Sequence, residues 1–171
     1  MLLSLFYRLF HHNPSKQISI LPTWQHYLAT REGPTEGYVY SINLKGSPYF
    51  AFYNGLINDK RLLSKMHKYS YTGILGMHPN FVKNWVDFTE NEVFKVCNCY
   101  VDYQKVFVTS SLLIIDYSCV AFDFALLKKP VLYTQFDRDT FFQYHTYRQG
   151  FLYMRTMDFV LSAMILILLV M

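Results

Sequence analysis

A run of four large aliphatic residues, Leu112 to Ile115, constrains the fold of this chain more than any other feature. A strand that is apolar on both faces is typical of the interior of a parallel sheet, where helices cover both sides. Polar residues begin at Asp116, and the next apolar residues have helical spacing from about Ser118 until Pro130 ends the helix. This segment therefore predicts one strand–helix unit of an α/β protein.

Other strands and helices alternate along the chain in the same way. Short apolar runs predict four further strands, at Ile18–Leu21, Tyr71–Met77, Val93–Cys97 and Val131–Tyr133. Helical spacing predicts three more helices, at Tyr49–Tyr69, Val101–Thr109 and Asp139–His145, and glycines and prolines predict a loop over residues 30–48. Such alternation predicts a parallel sheet with helices on both faces, which binds ligands beyond the carboxyl ends of its strands.

The composition excludes several classes of protein. Hydrophobic residues make up 52% of the 171 residues and charged residues 16%, which excludes general disorder and fits one domain with a core. The formal net charge of +4 comes from scattered basic residues, so we expect no nucleic-acid partner, although an anionic substrate or membrane surface would fit. Cys97, Cys99 and Cys119 form neither a disulfide framework nor a complete zinc site, so we expect a reducing compartment and no metal.

The first candidate site lies at residues 115–120, at the end of the clearest strand and the start of the helix that follows it. Backbone N–H groups at a helix start favour phosphate, and the Ser118 hydroxyl adds a donor at the same point. The alternative is that Ser118 only caps the helix. Asp123 could accept hydrogen bonds from ligand hydroxyl groups or be a solvated acid. Asp116 could contact a substrate, although orienting the turn is the simpler role.

Two other predicted strands also end in polar groups. His78-Pro79-Asn80 follows the second strand, and Pro79 favours an extended backbone at His78, which would aim the imidazole away from the sheet edge. A histidine there could donate to a phosphate, act as an acid or base, or be an ordinary loop residue. Pro22-Thr23-Trp24-Gln25 follows the first strand and could equally be a turn with a packing tryptophan. Phosphate-loop and dinucleotide-binding motifs are absent from the sequence, and no cofactor is expected.

Together these stretches resemble the CDP-glycerol glycerophosphotransferase family of teichoic acid polymerases and primases, from about Ile20 to Phe151. The strongest stretch reads LLIIDYSCVAFDFALLKKP, similar to a family strand followed by T-D-Y-S-S-V-x-F-D and a helix that ends in K-K-P. The H-P-N and P-T-W stretches and the later QFDRDTFFQYHTYRQGF match in the same order. The resemblance implies a Rossmann-like parallel sheet with flanking helices, similar to the C-terminal half of a GT-B transferase.

The resemblance also guides the assignment of single residues. His78 is the predicted catalytic residue, acting on the donor phosphates. Six residues are predicted to bind the substrate, CDP-glycerol: Ser118, Cys119, Asp123, Asp116, Gln25 and Asn80. Two of them depart from the family pattern. Cys119 replaces a second serine and is a weaker hydrogen-bond donor, and Gln25 stands where an arginine is usual, so one cation for the phosphates is missing.

The resemblance implies that the second substrate, beside CDP-glycerol, is a lipid-linked polyol-phosphate acceptor. It also implies that the protein is peripheral, at the cytoplasmic face of the cell membrane. It also implies a missing N-terminal acceptor domain that would carry the general base, so we expect this chain to be weakly active or inactive alone. Two alternatives stay open: the donor-binding half of a nucleotide-sugar glycosyltransferase, and a non-catalytic, membrane-associated remnant.

The two ends of the chain differ from its middle. We interpret residues 1–12 as an apolar remnant, residues 13–151 as the nucleotide-binding domain and residues 152–171 as an aberrant apolar tail. A reading frame shifted by one base from about Leu152 allows the polar continuation Y-E-N-D-G-F-x-P-V-C-Y-D, which is similar to the family's. We therefore expect the tail to be out of frame, and the coding DNA tests this.

Overall fold

The computed structural model describes residues 15–31, 38–97, 101–144 and 161–162. The strands are β1 Gln17–Ile20, β2 Thr30–Arg31, β3 Tyr38–Val39, β4 Thr72–Gly76, β5 Phe94–Cys97, β6 Ser110–Ile115, β7 Val131–Tyr133 and β8 Leu161–Ser162. The α-helices are α1 Pro48–Ile57, α2 Lys60–Lys68, α3 Tyr103–Thr109, α4 Val120–Leu126 and α5 Arg138–Tyr144, and 3-10 helices span His26–Leu28 and Pro79–Asp87. None of the helices described is long and apolar enough to cross a membrane.

Six strands form one sheet in the order β5-β4-β1-β6-β7-β8, and every neighbouring pair is parallel. In chain order, β1 takes a central place in the sheet, β4 and β5 are added on one side of it, and β6 follows on the other side. The strand order therefore reverses between β1 and β6. In sheets of this topology the crevice at that reversal is where ligands bind.

The central strand β6 buries both of its faces, as its apolar run predicts. Ile114 belongs to a core cluster under α1, α2 and the longer 3-10 helix, whereas Leu113 and Ile115 belong to a second cluster with Phe124 of α4. Successive side chains of a strand point to opposite faces, so one strand supplies both cores. The prediction of an α/β protein with helices on both sides of a parallel sheet is confirmed.

The helix predicted over residues 49–69 is two helices, α1 and α2, and this part of the prediction was wrong. Asp59 interrupts it, because its Oδ1 accepts hydrogen bonds from the N–H groups of Arg61 and Leu62, each at 3.0 Å. This is the geometry of a residue that caps the start of a new helix. The predicted loop over residues 30–48 also contains β2 and β3, which pair antiparallel. Apolar spacing alone revealed neither feature.

Lys129, in the K-K-P stretch, secures the end of α3 against the start of β6. Its ammonium group donates to the carbonyl oxygens of Phe107, Val108 and Ser110 at 2.6, 2.9 and 2.8 Å. Burial lowers the pKa of this amine. The last carbonyls of a helix have no partners within the helix, so a cation that binds them stabilises its end.

Replacing Lys129 with methionine should lower the free energy of unfolding by about 2 kcal/mol, since hydrogen bonds from a charged donor are lost and the site is only partly exposed. Urea denaturation followed by tryptophan fluorescence measures this. Lys128→Met is the matched control, because Lys128 is exposed and the change should stay within about 0.5 kcal/mol. Equal losses in the two variants would contradict the assigned role of Lys129.

Candidate functional site at the strand reversal

A small cavity opens at the carboxyl ends of β1, β4 and β6, at the point where the strand order reverses. Its volume is about 40 Å³, and its lining residues are Leu21, Pro22, Thr23, Gly76, His78, Tyr103, Ile115, Ser118 and Val120. Gly76 allows two side chains to pack closely on the backbone of β4, because a Cβ there would lie 2.5 Å from Leu21 Cδ2 and 2.7 Å from Val101 Cγ2. Two predicted site residues from distant parts of the sequence, His78 and Ser118, thus line one cavity.

The backbone holds His78 in an extended conformation, with φ −59° and ψ 145°, as the following proline predicts. Its Nδ1 accepts a hydrogen bond from the backbone N–H of Asn80 at 3.2 Å. When Nδ1 is the acceptor, the proton of the neutral imidazole is on Nε2. The Trp24 ring stacks on the imidazole at a centroid distance of 5.9 Å, so the predicted P-T-W and H-P-N stretches meet.

Ser118 lies at the start of α4 and also lines the cavity. Its Oγ accepts a hydrogen bond from Val120 N at 3.3 Å. A hydroxyl oxygen that accepts one hydrogen bond still has its own proton to donate. Helix α4, which follows Ser118, has only seven residues.

Asp116 connects the two sides of the crevice. It is 1% exposed, and its carboxylate accepts hydrogen bonds from Thr23 N at 2.8 Å, Tyr117 N at 2.7 Å and the Tyr53 hydroxyl at 3.0 Å. Burial raises the pKa of Asp116 to about 6, against the opposing effect of these donors. Asp116 lies outside the lining of the cavity and fixes the segment after β1 to the end of β6.

Gln25 lies in a second polar group beside the crevice. Its side-chain amide donates to Asp137 Oδ2 at 2.6 Å, and the Tyr117 hydroxyl donates to Asp137 Oδ1 at 2.8 Å. Burial is the main cause that raises the pKa of Asp137. The Tyr117 ring also stacks on Phe141 at a centroid distance of 3.6 Å. In this structure Gln25 contacts protein and does not line the cavity, and sequence reasoning did not single out its partner, Asp137.

The other three predicted substrate-binding residues lie beside the cavity rather than in its described lining. Cys119 and Asp123 are exposed, and Asp123 lies in the first turn of α4. Asn80 contributes its backbone N–H to His78. Thr23 and Tyr103 line the cavity although sequence reasoning gave them no role. For Thr23 the available signal was its place directly after β1 in the P-T-W stretch.

The family model for CDP-glycerol:poly(glycerophosphate) glycerophosphotransferases matches residues 8–161. The chain belongs to this family. The match covers the whole described sheet except the last residue of β8, and the residues that line the cavity all lie within the matched range. It also extends ten residues beyond residue 151, where the predicted domain ends. The domain boundaries and the reading-frame hypothesis stay predictions, since residues 1–14 and most of residues 152–171 lie outside the described part.

Two curated relatives are named for teichoic acid biosynthesis or for teichoic acid glycerol-phosphate transfer. The minor teichoic acid biosynthesis protein GgaB of Bacillus subtilis is 36% identical over 137 residues, which are 78% of this chain and 15% of GgaB. A teichoic acid glycerol-phosphate transferase of Staphylococcus aureus is 32% identical over 126 residues, which are 74% of this chain and 28% of the relative. This chain therefore spans well under a third of the length of both relatives.

The solved structure of the wall teichoic acid polymerase TagF has the same fold, with a TM-score of 0.53 at 22% identity over 94% of this chain and 35% of that chain. A substituted form of TagF soaked with CDPG gives a TM-score of 0.54 at 25% identity over 92% of this chain. The likeness covers about a third of each TagF chain, 35% and 34%. It agrees with the resemblance to one part of a larger transferase.

Proposed function

We propose that this chain is the donor-binding part of a CDP-glycerol glycerophosphotransferase of teichoic acid biosynthesis. The observation that carries the proposal is the meeting of His78 and Ser118 in one cavity at the strand reversal of a member of this family. An Nε2 proton and a hydroxyl proton are donors suited to phosphate oxygens. We assign one phosphate of the CDP-glycerol diphosphate to this cavity.

The reaction that this site would serve is a phosphoryl transfer. The acceptor hydroxyl oxygen forms a bond to the β-phosphorus of CDP-glycerol, and the bond from that phosphorus to the bridging oxygen breaks. CMP leaves with the bonding electron pair, and a general base takes the hydroxyl proton. Catalysis of this kind depends mainly on positioning and on stabilising charge on the phosphoryl oxygens. His78 and Ser118 would supply donors for those oxygens, and His78 is the proposed catalytic residue.

The size of the cavity limits what the described residues can do. A volume of about 40 Å³ holds a group near the size of one phosphoryl group, whereas pockets for whole ligands typically measure roughly 300–1,000 Å³. We propose that other parts of a longer protein bind the nucleoside and the acceptor and provide the general base. The acceptor we propose is a lipid-linked polyol phosphate at the cytoplasmic face of the membrane, and this chain alone should transfer slowly.

Calorimetric titration with CDP-glycerol tests the assignment of one phosphate to the cavity. His78→Phe keeps a ring against Trp24 but removes the N–H donor, and Ser118→Ala removes the hydroxyl. Each change should weaken binding about tenfold, because a hydrogen bond to a charged phosphate is lost. His67→Gln, on the exposed face of α2, is the control and should leave the affinity unchanged.

Binding by the unsubstituted chain tests whether it is the donor-binding part of a glycerophosphotransferase. If it binds UDP-sugars as well as CDP-glycerol, the glycosyltransferase alternative gains over the proposed one. If it binds neither compound while circular dichroism shows a folded protein, the donor-binding proposal is wrong. A separate experiment tests whether transfer needs both parts of the enzyme. The chain is mixed with a separately produced acceptor-binding part from a relative, and the release of CMP is assayed.

A further inference from the structure

Thr23 is a residue of the cavity lining, and its buried hydroxyl group has no hydrogen-bond partner. The residue is 3% exposed and lines the cavity together with His78 and Ser118. Only one other buried side-chain polar atom of the described residues lacks a partner, the Tyr49 hydroxyl, and Tyr49 lies in the core away from the cavity lining. The orphaned donor of Thr23 therefore coincides with the proposed ligand site.

The position of this hydroxyl is fixed by the backbone. Thr23 N donates to both carboxylate oxygens of Asp116, at 2.8 and 3.1 Å, which holds the residue against the end of β6. The hydroxyl is close enough to Asp116 to help lower the pKa of that carboxyl, yet it makes no hydrogen bond of normal geometry with it. A group held rigidly with its donor unused is prepared for a ligand that supplies the acceptor.

Valine at position 23 would cost less free energy than threonine if the residue had only a structural role. Valine has nearly the shape of threonine but no polar atom, and a buried hydroxyl without a partner destabilises the folded state. A purely structural residue at this place would therefore be better as valine. The threonine makes physical sense if a bound ligand satisfies the hydroxyl.

We infer that the Thr23 hydroxyl donates a hydrogen bond to a phosphate oxygen of the bound diphosphate. This inference rests on the proposed function and adds a third binding group to His78 and Ser118. Thr23 follows β1 and Ser118 follows β6, so the two hydroxyls hold the phosphoryl group from opposite sides of the strand reversal. The space of about 40 Å³ between them suits one such group.

Two substitutions in the full chain test the inference, Thr23→Val and Thr23→Ser. Calorimetric titration with CDP-glycerol should show binding about tenfold weaker for Thr23→Val and within about threefold of the natural chain for Thr23→Ser. The melting temperature without ligand should be unchanged or raised by about 2 °C in Thr23→Val, since an unsatisfied buried donor has been removed. Loss of affinity without loss of stability identifies a ligand-binding hydroxyl.

The possible outcomes separate the inference from the proposed function. Equal affinities of Thr23→Val and the natural chain would overturn the inference while the donor-binding proposal stands. A Thr23→Val chain that melts well below the natural one, or fails to fold, would assign the hydroxyl to Asp116 and also overturn it. A natural chain that does not bind CDP-glycerol overturns both.

Discussion

Asp116→Ala should unfold more easily than Asp116→Asn by about 4 kcal/mol at neutral pH. Asparagine has the shape of aspartate, so its Oδ1 can still accept from Thr23 N and Tyr117 N, which both bond to Oδ1 now. Its amide can donate to the Tyr53 hydroxyl, which then donates to Thr134 Oγ1, 3.3 Å away. Alanine leaves the buried N–H of Thr23 and the partly buried N–H of Tyr117 without acceptors, and it removes packed volume.

Urea denaturation followed by the fluorescence of Trp24 and Trp85 measures the difference between the two variants. Both lack the carboxylate, so the comparison reports hydrogen bonds and packing rather than charge. Asp123→Ala, which removes an exposed carboxylate from α4, should change stability by no more than about 0.5 kcal/mol. Alanine and asparagine variants of equal stability would show that Asp116 does not hold the two segments together.

The natural chain should lose about 3 kcal/mol of stability relative to Asp116→Asn as the pH rises from about 3.5 to about 7.5. Burial raises the pKa of Asp116 in the folded state from 3.8 to about 6. At the acidic end the carboxyl is protonated in both the folded and the unfolded state. Between pH 3.8 and about 6 the unfolded chain ionises this carboxyl in water while the folded state keeps it protonated, so stability falls as the pH rises and levels off above about 6.

The asparagine variant isolates this effect from other titrating groups. Burial also raises the pKa of Asp137, but Asp137 is present in both chains and its contribution largely cancels in the difference. Unfolding curves of both chains at several pH values give the difference directly. A difference that stays flat across this range, or that grows in favour of the natural chain, would be inconsistent with a raised pKa at Asp116.

Local patterns predicted the parts of the fold that depend on local chemistry. The continuous apolar run at β6 identified a strand buried on both faces, and Pro79 correctly predicted the extended backbone at His78. The end of the helix before Pro130 and the strand after it were also predicted correctly. These features follow from side-chain periodicity and from the restrictions of proline, which act within a few residues.

The polar contacts around the crevice could not be predicted in this way. Asp116 binds a backbone group 93 residues earlier in the chain, and Gln25 binds Asp137 across 112 residues. Neither spacing leaves a periodic trace. The sequence could show only that polar residues follow adjacent strands, and it could not show which protein groups the side chains of Asp116 and Gln25 contact. The catalytic and substrate-binding roles of all seven predicted site residues stay predictions.

The place of β1 between β4 and β6 has a consequence for how the protein is made. β1 is complete at residue 20, but its partner on one side, β6, begins only at residue 110. During synthesis from the N-terminus, one edge of β1 therefore stays unpaired until β6 has left the ribosome. Open strand edges associate readily with other chains. Nascent chains that stop before residue 110 should thus be far more prone to aggregation than those that reach β7.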